Sequence, residues 1–111
     1  MNILALETST SASKAAIYSS EEGLIKVLSI PYVEGISDTI TQDAKGVLNL
    51  LINEIKEILK SDTYEIDAIS LSGIWHSLLL LDKDREPLTP IYTWADTRPA
   101  KTVAEYRRDE E

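Results

Sequence analysis

The segment from about Thr41 to Lys60 places its apolar residues three and four positions apart, the spacing of one face of an α-helix. Thr41 or Ser37 is the expected N-cap, and Asp43 in the first turn suits the helix dipole. A run with strand character, Ile66 to Leu71, comes next. A helix that joins strands in this way predicts a crossover, so we expect this strand to be buried and to pair in parallel with an earlier one.

Three short apolar runs precede the helix, and tight polar turns separate them. The runs are Ile3 to Leu6, Ala15 to Tyr18, and Leu24 to Tyr32. Consecutive strands with short turns predict an antiparallel meander. The whole order is therefore β-β-β-α-β, which predicts an α/β fold with a mixed sheet and one helix covering a face.

Charge and composition exclude several kinds of partner. The chain has 19 acidic and 11 basic residues, a net charge of −8, so nucleic acid and anionic membrane surfaces are not expected partners. With no cysteine and one histidine, neither a disulfide framework nor a structural zinc site is expected. The first residues lack the pattern of a signal peptide, and no apolar run reaches the length of a membrane span. We expect a cytoplasmic protein.

Two clusters of aromatic and polar residues follow the predicted strand at 66–71. The first is Trp75 and His76, just after Gly73, and the second is Trp94 with Asp96 and Arg98. Small ligands usually bind at strand ends in α/β sheets. Each cluster also has a purely structural interpretation: a hydrogen-bonded histidine in the first, and a surface ion pair beside a buried tryptophan in the second.

The pattern S-G-x-x-H-S, an apolar run, L-D-K-D, P-L-T-P and T-W-A-D-T-R over residues 72–98 resembles the N-terminal domain of the FGGY carbohydrate kinases. These enzymes belong to the actin-like ATPase superfamily, whose fold is ribonuclease H-like. H-S, P-L-T-P and W-A-D-x-R are more similar to gluconate kinases than to xylulokinases. The resemblance covers about residues 3–100 and implies ATP and Mg²⁺ as cofactors.

The resemblance assigns the first turn to nucleotide binding. The family's strand ends in Asp-x-Gly-Thr-Ser/Thr, and the matching positions here are Glu7, Ser9, Thr10 and Ser11, with Lys14 at the usual basic position. It implies that Glu7 orients metal-bound water while backbone N–H groups of the turn approach the phosphates. Two departures stand out: Glu7 is longer than the usual Asp, and Ser9 in place of Gly predicts strain if the turn needs positive φ. A solvated Ser/Thr-rich hairpin is the alternative.

The resemblance assigns the two later clusters to the sugar. His76 is expected to face the substrate hydroxyls, and Trp94 and Asp96 to contact the sugar, whereas Arg98 supports the loop or pairs with a substrate carboxylate. Trp75 either stacks on the sugar or closes the core, and strand alternation would point it away from His76 if the strand continues to this position.

Other polar positions are given simpler interpretations. Pro87 to Pro90 is expected to be a turn that fixes a hairpin. Glu54 and Glu57 are expected on the solvated face of the helix. The charged end, from Tyr106 to Glu111, is expected to begin or follow a helix.

These observations predict residues 1–111 to be the sugar-binding N-terminal portion of an ATP-dependent sugar kinase, most similar to the gluconate type. The family places the catalytic base and adenosine motifs beyond Glu111, so no catalytic residue is assigned and the chain alone is expected to be inactive. A xylulokinase-like enzyme is one alternative, and a non-catalytic sugar- or protein-binding domain is another. An incomplete sheet is expected to expose an apolar face and to favour dimerisation.

Overall fold

The first three strands form the predicted antiparallel meander. The computed structural model describes residues 1–60 and 64–108, and its chain begins with β1 (Asn2–Thr8), β2 (Ala12–Ser19) and β3 (Gly23–Pro31). β2 pairs antiparallel with both β1 and β3, so it lies between them. The predicted runs are confirmed, and each strand extends beyond the predicted run at one or both ends because backbone pairing continues into the polar turns.

The helix and the strand after it make the predicted crossover. Helix α1 (Ala44–Leu59) leads to a strand at Ala68–Ser72, which pairs in parallel with β1 in a four-stranded sheet. The core lies between α1 and the meander, as predicted. Its buried residues are Leu4, Leu6, Ala15, Ile17, Leu51 and Ile58.

The helix begins later than predicted, because Thr41 and Gln42 form a short strand, β4 (Thr41–Gln42). The N-cap is Asp43 rather than Thr41 or Ser37: its carboxylate accepts from Lys45 N at 3.2 Å and Gly46 N at 3.1 Å. The strand at Ala68–Ser72 is thus β5, and β4 pairs antiparallel with β6 (Ile91–Tyr92). This second, two-stranded sheet was not predicted.

The expectation that the strand around Ile66 to Leu71 is buried is wrong. All five residues of β5 are exposed, and Ile69 and Leu71 retain 67% and 71% of their accessible surface. β5 is one of the two edge strands of the sheet, and α1 packs mainly on β2 and β3. The apolar side chains of this strand therefore form a surface that the described part of the chain leaves exposed.

The expectation that Glu54 lies on a solvated face is also wrong. Glu54 is fully buried on the core-facing side of α1 with Val47, Leu51 and Ile58. One carboxylate oxygen accepts from the Ser13 hydroxyl on β2, and within the described residues the other has no hydrogen-bond partner. Glu57 is exposed beside Lys60, as expected.

The segment between β5 and β6 is a loose hairpin. Isolated bridges join Leu78 to Tyr92 and Leu81 to Pro87, and its turn is closed by hydrogen bonds between Asp82 and Glu86. The turn therefore precedes Pro87–Pro90, which forms the returning arm and not the turn that the sequence predicts.

The described chain ends in a second helix, α2 (Ala100–Arg108). The charged end therefore forms the last residues of this helix as far as residue 108, and does not begin or follow a helix there. Residues 61–63, between α1 and β5, and residues 109–111 lie outside the described residues. Among the helices of the described part, none has the length and apolar character needed to cross a membrane.

Candidate functional site

The parallel pairing of β1 with β5 brings the predicted nucleotide and sugar clusters together. Glu7 and Ser72 are register partners, so the β1–β2 turn (Ser9–Ser11) and the loop after β5 (Gly73–Ser77) leave the sheet side by side. Between them lies a cleft of about 260 Å³, here called the inner cleft. Its lining consists of Glu7, Thr8, Ser9, Thr10, Gly73, Ile74, Trp75, His76 and Trp94.

The β1–β2 turn is closed by the Ser9 side chain. The Ser9 hydroxyl donates to Ala12 O at 2.9 Å and accepts from Ala12 N at 3.2 Å and Ser11 N at 3.4 Å. Ser9 does not lie among the residues with positive φ, so the predicted strain is absent. Ser in place of the family's Gly at position 9 therefore changes the hydrogen bonding of the turn, because the Ser9 hydroxyl accepts hydrogen bonds from N–H groups inside it.

Glu7 and Lys14 form a cross-strand ion pair at the edge of the inner cleft. Lys14 Nζ lies 2.9 Å from Glu7 Oε2, and both side chains are a little less than half exposed. Mg²⁺ is commonly held by one or two carboxylates together with phosphate oxygens and water. Among the described residues no group of three or more His, Cys, Asp and Glu side chains converges as a metal site. Glu7 thus fits a role in a metal shell completed by a nucleotide and does not fit a cage built from protein alone.

The loop after β5 brings Trp75 and His76 to the same cleft. His76 has a φ of 50°, in the left-handed region, and the centroids of the two rings are 5.2 Å apart at an interplanar angle of 53°. The strand ends at Ser72, so strand alternation, which would point Trp75 away from His76 only if the strand continued, does not apply here. Trp75 is 82% exposed, which excludes the alternative in which it closes the core.

Trp94 connects the second cluster to the β1–β2 turn. It lies in the loop between β6 and α2, here called the β6–α2 loop (Thr93–Pro99), and its indole Nε1 donates to Thr10 Oγ1 at 3.2 Å. The preceding Thr93 is buried and donates from its hydroxyl to Thr39 O at 2.7 Å. The Trp94 ring remains 63% exposed, so its face is available for stacking.

Asp96 and Arg98 form a bidentate ion pair. Arg98 Nε and Nη2 donate to the two Asp96 oxygens at 2.8 and 2.7 Å, and the guanidinium lies 5.6 Å from the centre of the Tyr92 ring. These side-chain hydrogen bonds from Arg98, with one from its backbone N–H, lower the pKa of Asp96. The ion-pair interpretation is thus correct for these two residues, but the neighbouring Trp94 is not buried.

A second, larger cleft lies next to the first. This outer cleft, of about 660 Å³, is lined by His76, Ser77, Leu78, Tyr92, Thr93, Asp96, Arg98 and Pro99. His76 lines both clefts. The structure therefore places Glu7, Ser9, Thr10, Trp75, His76 and Trp94 around one space and Asp96 next to it, whereas Ser11 and Lys14 do not line either cleft.

Gln42 and Tyr92 were not predicted as site residues. Gln42 is 2% exposed and donates from its side-chain amide to two carbonyls of the β1–β2 turn. Tyr92 lies in the wall of the outer cleft below Arg98. Both belong to the β4–β6 pairing, which joins segments far apart in sequence and leaves no periodic signal.

Comparison with known proteins shows the same family over nearly the whole chain. The model of the FGGY family of carbohydrate kinases, N-terminal domain, matches residues 2–111. The gluconokinase of Bacillus subtilis (strain 168) is 30% identical over 99 residues, which cover 86% of this chain and 19% of that protein. The xylulose kinase of Staphylococcus xylosus is 24% identical over 113 residues, 96% of this chain and 23% of that protein.

Solved structures agree. The crystal structure of gluconate kinase from Lactobacillus acidophilus superimposes with a TM-score of 0.80 at 26% identity, over 98% of this chain and 22% of that chain. The chain thus spans about a fifth of the length of the relatives it matches. The fold is that of the FGGY sugar kinases, an actin-like ATPase fold with a mixed sheet, as predicted. Because the family match covers residues 2–111, the chain belongs to the FGGY family of carbohydrate kinases.

Proposed function

We propose that this chain is the sugar-binding part of an ATP-dependent kinase that phosphorylates a primary hydroxyl of an open-chain sugar or sugar acid, with gluconate as the preferred substrate. The observation that carries the proposal is the inner cleft. There the candidate phosphate turn and the candidate sugar residues His76, Trp75 and Trp94 line one space. Phosphoryl transfer needs this proximity, since its catalysis is mainly positioning and charge stabilisation.

The sugar-side residues have distinct roles in this proposal. The exposed rings of Trp75 and Trp94 offer apolar faces for the carbon chain of the substrate. His76, which lines both clefts, and Asp96, kept ionised by Arg98, are the hydrogen-bonding groups for substrate hydroxyls. Arg98 engages both oxygens of Asp96, so it supports the loop and is not the first ligand of a substrate carboxylate.

The nucleotide-side residues act on the opposite wall. When bound, MgATP would supply the transferred phosphoryl group and the metal charge that stabilises it. Glu7 is the candidate for orienting metal-bound water, and Lys14 fixes the position of its carboxylate. The turn at Ser9, Thr10 and Ser11 faces the phosphates in this proposal. The Ser9 hydroxyl accepts hydrogen bonds from two N–H groups of the turn and so limits their availability to phosphate.

The catalytic base belongs to sequence beyond residue 111 in this proposal. Glu7 and Asp96 are the carboxylate residues that line the two clefts, and both are engaged by a cationic partner. Residues 1–111 therefore form the N-terminal portion of the kinase N-terminal domain, and we expect the isolated chain to be inactive. Its coverage of about a fifth of the gluconokinase length supports this assignment.

The choice of gluconate rests on the relatives and on the motif at Trp94–Asp96. The Bacillus subtilis gluconokinase is 30% identical to this chain, and the Staphylococcus xylosus xylulose kinase is 24% identical. A xylulokinase-like activity is the second candidate. A non-catalytic binding domain is the third, favoured by the Ser9 hydroxyl that already satisfies two N–H groups of the turn.

A coupled assay of ADP release by the native protein, with gluconate and xylulose side by side, tests the proposal. We expect ADP release that depends on sugar and is faster with gluconate, and a large loss of it in His76→Ala. Tyr18→Phe, at an exposed strand position outside both clefts, is the control. A native protein without sugar-dependent ADP release would overturn the kinase proposal, and sugar-dependent release by the isolated 111-residue chain would overturn the assignment of the base.

A further inference from the structure

We propose that Gln42 is a positioning residue that couples the β1–β2 turn to the β6–α2 loop, so that the two walls of the inner cleft move as one unit. The assignment of these walls to phosphate and sugar rests on the proposed function; the coupling itself rests on contacts of the described residues. Gln42 is buried, with 2% of its surface exposed, although it carries a polar amide.

The side-chain amide of Gln42 holds the turn. Its Nε2 donates to Ser9 O at 3.2 Å and to Thr10 O at 3.0 Å. An amide nitrogen has two hydrogens, so these two carbonyls use its whole donor capacity. Two carbonyl acceptors also fix the orientation of the amide, because its own oxygen would be repelled at this position.

The backbone of Gln42 holds the other wall. Gln42 and Thr41 pair with Ile91 and Tyr92 in the β4–β6 sheet. The contact continues beyond the strand, because Thr93 N donates to Ile40 O at 3.0 Å. Gln42, which holds the turn through its side chain, thus belongs to β4, and the partner strand β6 leads directly into the loop that carries Trp94.

Trp94 completes the connection between the β6–α2 loop and the β1–β2 turn. Its indole N–H donates to Thr10 Oγ1 at 3.2 Å, so Thr10 receives its carbonyl contact from Gln42 and its hydroxyl contact from Trp94. The closed path runs from Thr10 through Gln42, the β4–β6 pairing and Trp94 back to Thr10. A shift of the turn therefore changes the position of the exposed Trp94 ring, and a ligand stacked on that ring acts back on the turn.

Ser37 provides a matched comparison. Its hydroxyl donates to the same Thr10 carbonyl at 3.4 Å, longer than the Gln42 contact, and its backbone forms an isolated bridge with Gln42 although Ser37 lies outside β4. If any polar contact to the turn sufficed, Ser37 and Gln42 would be equivalent. The coupling predicts that, of these two residues, Gln42 affects Trp94 and Ser37 does not.

The test measures hydrogen exchange of the Trp94 indole N–H and of the Ser11 and Ala12 amides by NMR in the 111-residue chain. Gln42→Met has a similar volume and no hydrogen-bond donor. In this variant Thr10, whose hydroxyl accepts from the Trp94 indole, loses its hydrogen bond from Gln42, so we expect the indole N–H to exchange about fivefold faster or more. Gln42→Glu, of nearly the same shape, places oxygen against two carbonyls and should exceed the effect of Met. Ser37→Ala should leave the indole signal unchanged.

A second variant keeps the test decisive if a substitution of buried Gln42 prevents folding. Thr10→Val removes the acceptor of the Trp94 indole at a half-buried surface position and leaves the core in place. We expect it to shift the Gln42 side-chain amide signals as well as the Trp94 signal. An unchanged Trp94 indole in a folded Gln42→Met chain, or unchanged Gln42 signals in Thr10→Val, would overturn the coupling. The experiment uses no ligand, so its failure would leave the kinase proposal standing, and failure of the ADP assay would leave the coupling standing.

Discussion

The Ser9 hydroxyl occupies the inside of the β1–β2 turn. It accepts hydrogen bonds from the backbone N–H groups of Ser11 and Ala12, which are the kind of donors that bind phosphate in such turns. A bound phosphate would have to replace these intramolecular contacts. A single side chain therefore decides how available the turn is to an anion.

Ser9→Ala tests this role. We expect the amides of Ser11 and Ala12 to exchange about fivefold faster, because each loses a hydrogen bond that contributes about 1 kcal/mol. Amide exchange measured by NMR is the readout, with Ser11→Ala at the neighbouring exposed hydroxyl as the control. Equal protection in Ser9→Ala and in the unchanged chain would show that the hydroxyl does not cap the turn.

Arg98 controls the ionisation of Asp96. Its side-chain hydrogen bonds hold the pKa of Asp96 below the ordinary value, so Asp96 loses protons more readily in the folded chain than in the unfolded one. The stability contributed by the pair is present above the ordinary carboxyl pKa and is lost as pH falls through the lowered folded value. Asp96, the residue proposed to bind the sugar, is consequently an ionised carboxylate at neutral pH.

In Arg98→Met we expect the pKa of Asp96 to rise towards its ordinary value, followed by the ¹³C shift of its carboxyl carbon during an acid titration. Because the pair no longer contributes, the free energy of unfolding should fall less steeply as pH decreases through the acid range. Lys101→Met, which removes a positive charge that is not among the causes of the lowered Asp96 pKa, is the control. An Asp96 titration that is identical in the two variants would contradict this assignment.

At the scale of the elements, helix α1 is fixed to the meander by a buried polar contact as well as by apolar packing. Glu54 on α1 accepts a hydrogen bond from the Ser13 hydroxyl on β2.

The Tyr32 hydroxyl is buried without a hydrogen-bond partner among the described residues. Burial raises the pKa of Tyr32, and the negative charges of Glu54 and Glu7 raise it further. Tyr32 binds its proton more tightly in the folded chain, so stability falls as pH rises from about 10 through the raised value.

Glu54→Gln should lower the pKa of Tyr32 relative to the unchanged chain while leaving it above the ordinary value, because burial, the larger cause, remains. The amide still accepts from Ser13, so the fold is expected to persist. Ultraviolet titration of the tyrosines, with Tyr32→Phe to identify the signal, is the measurement. Glu57→Gln at the exposed neighbour serves as control; an equal shift in both variants would refute a specific effect of Glu54.

The sequence predicts the main sheet and helix well because their signals are local. Alternation and three-to-four spacing place β1, β2, β3 and α1, and the crossover rule correctly makes β5 parallel to β1. The spacing also puts position 54 in line with Val47, Leu51 and Ile58, yet its charge favoured a solvated interpretation. Burial of a carboxylate depends on Ser13, a partner 41 residues away, which a local pattern does not reveal.

The candidate residues of the site come from the sequence, whereas their geometry does not. The resemblance named Glu7, His76 and Trp94, whereas their common cleft follows from the pairing of β1 with β5. Strand alternation did not apply to Trp75 because the strand ends before it, and Gln42 was not predicted because its contacts with the turn depend on the β4–β6 pairing. The common cleft and the contacts of Gln42 depend on long-range backbone pairing, which a local sequence pattern does not reveal.

For the whole molecule, the exposed strand β5 is the feature that most affects behaviour in solution. Its apolar side chains Ile69 and Leu71 are largely exposed on an edge strand, where unpaired backbone groups also invite another strand. We expect the isolated chain to self-associate through this edge. In the longer kinase that we propose, the remaining sequence would cover it.

Leu71→Lys should reduce self-association and change the free energy of unfolding by no more than about 0.5 kcal/mol, because the side chain is already exposed. Sedimentation velocity over a range of concentrations is the measurement. Val33→Lys, at an equally exposed apolar residue outside the sheet, should leave association as it is. If both variants behave alike, the β5 edge is not the contact surface.

The intact mass of the native protein, taken from its source cells, tests the central claim most directly. A chain that covers 19% of the gluconokinase it matches, with a candidate site at the ends of β1 and β5, is expected to belong to a protein several times heavier than 12.4 kDa. Such a mass is the result that our account predicts. A native mass equal to that of these 111 residues would contradict it and would leave a binding domain, with His76 and Trp94 as its first positions to test.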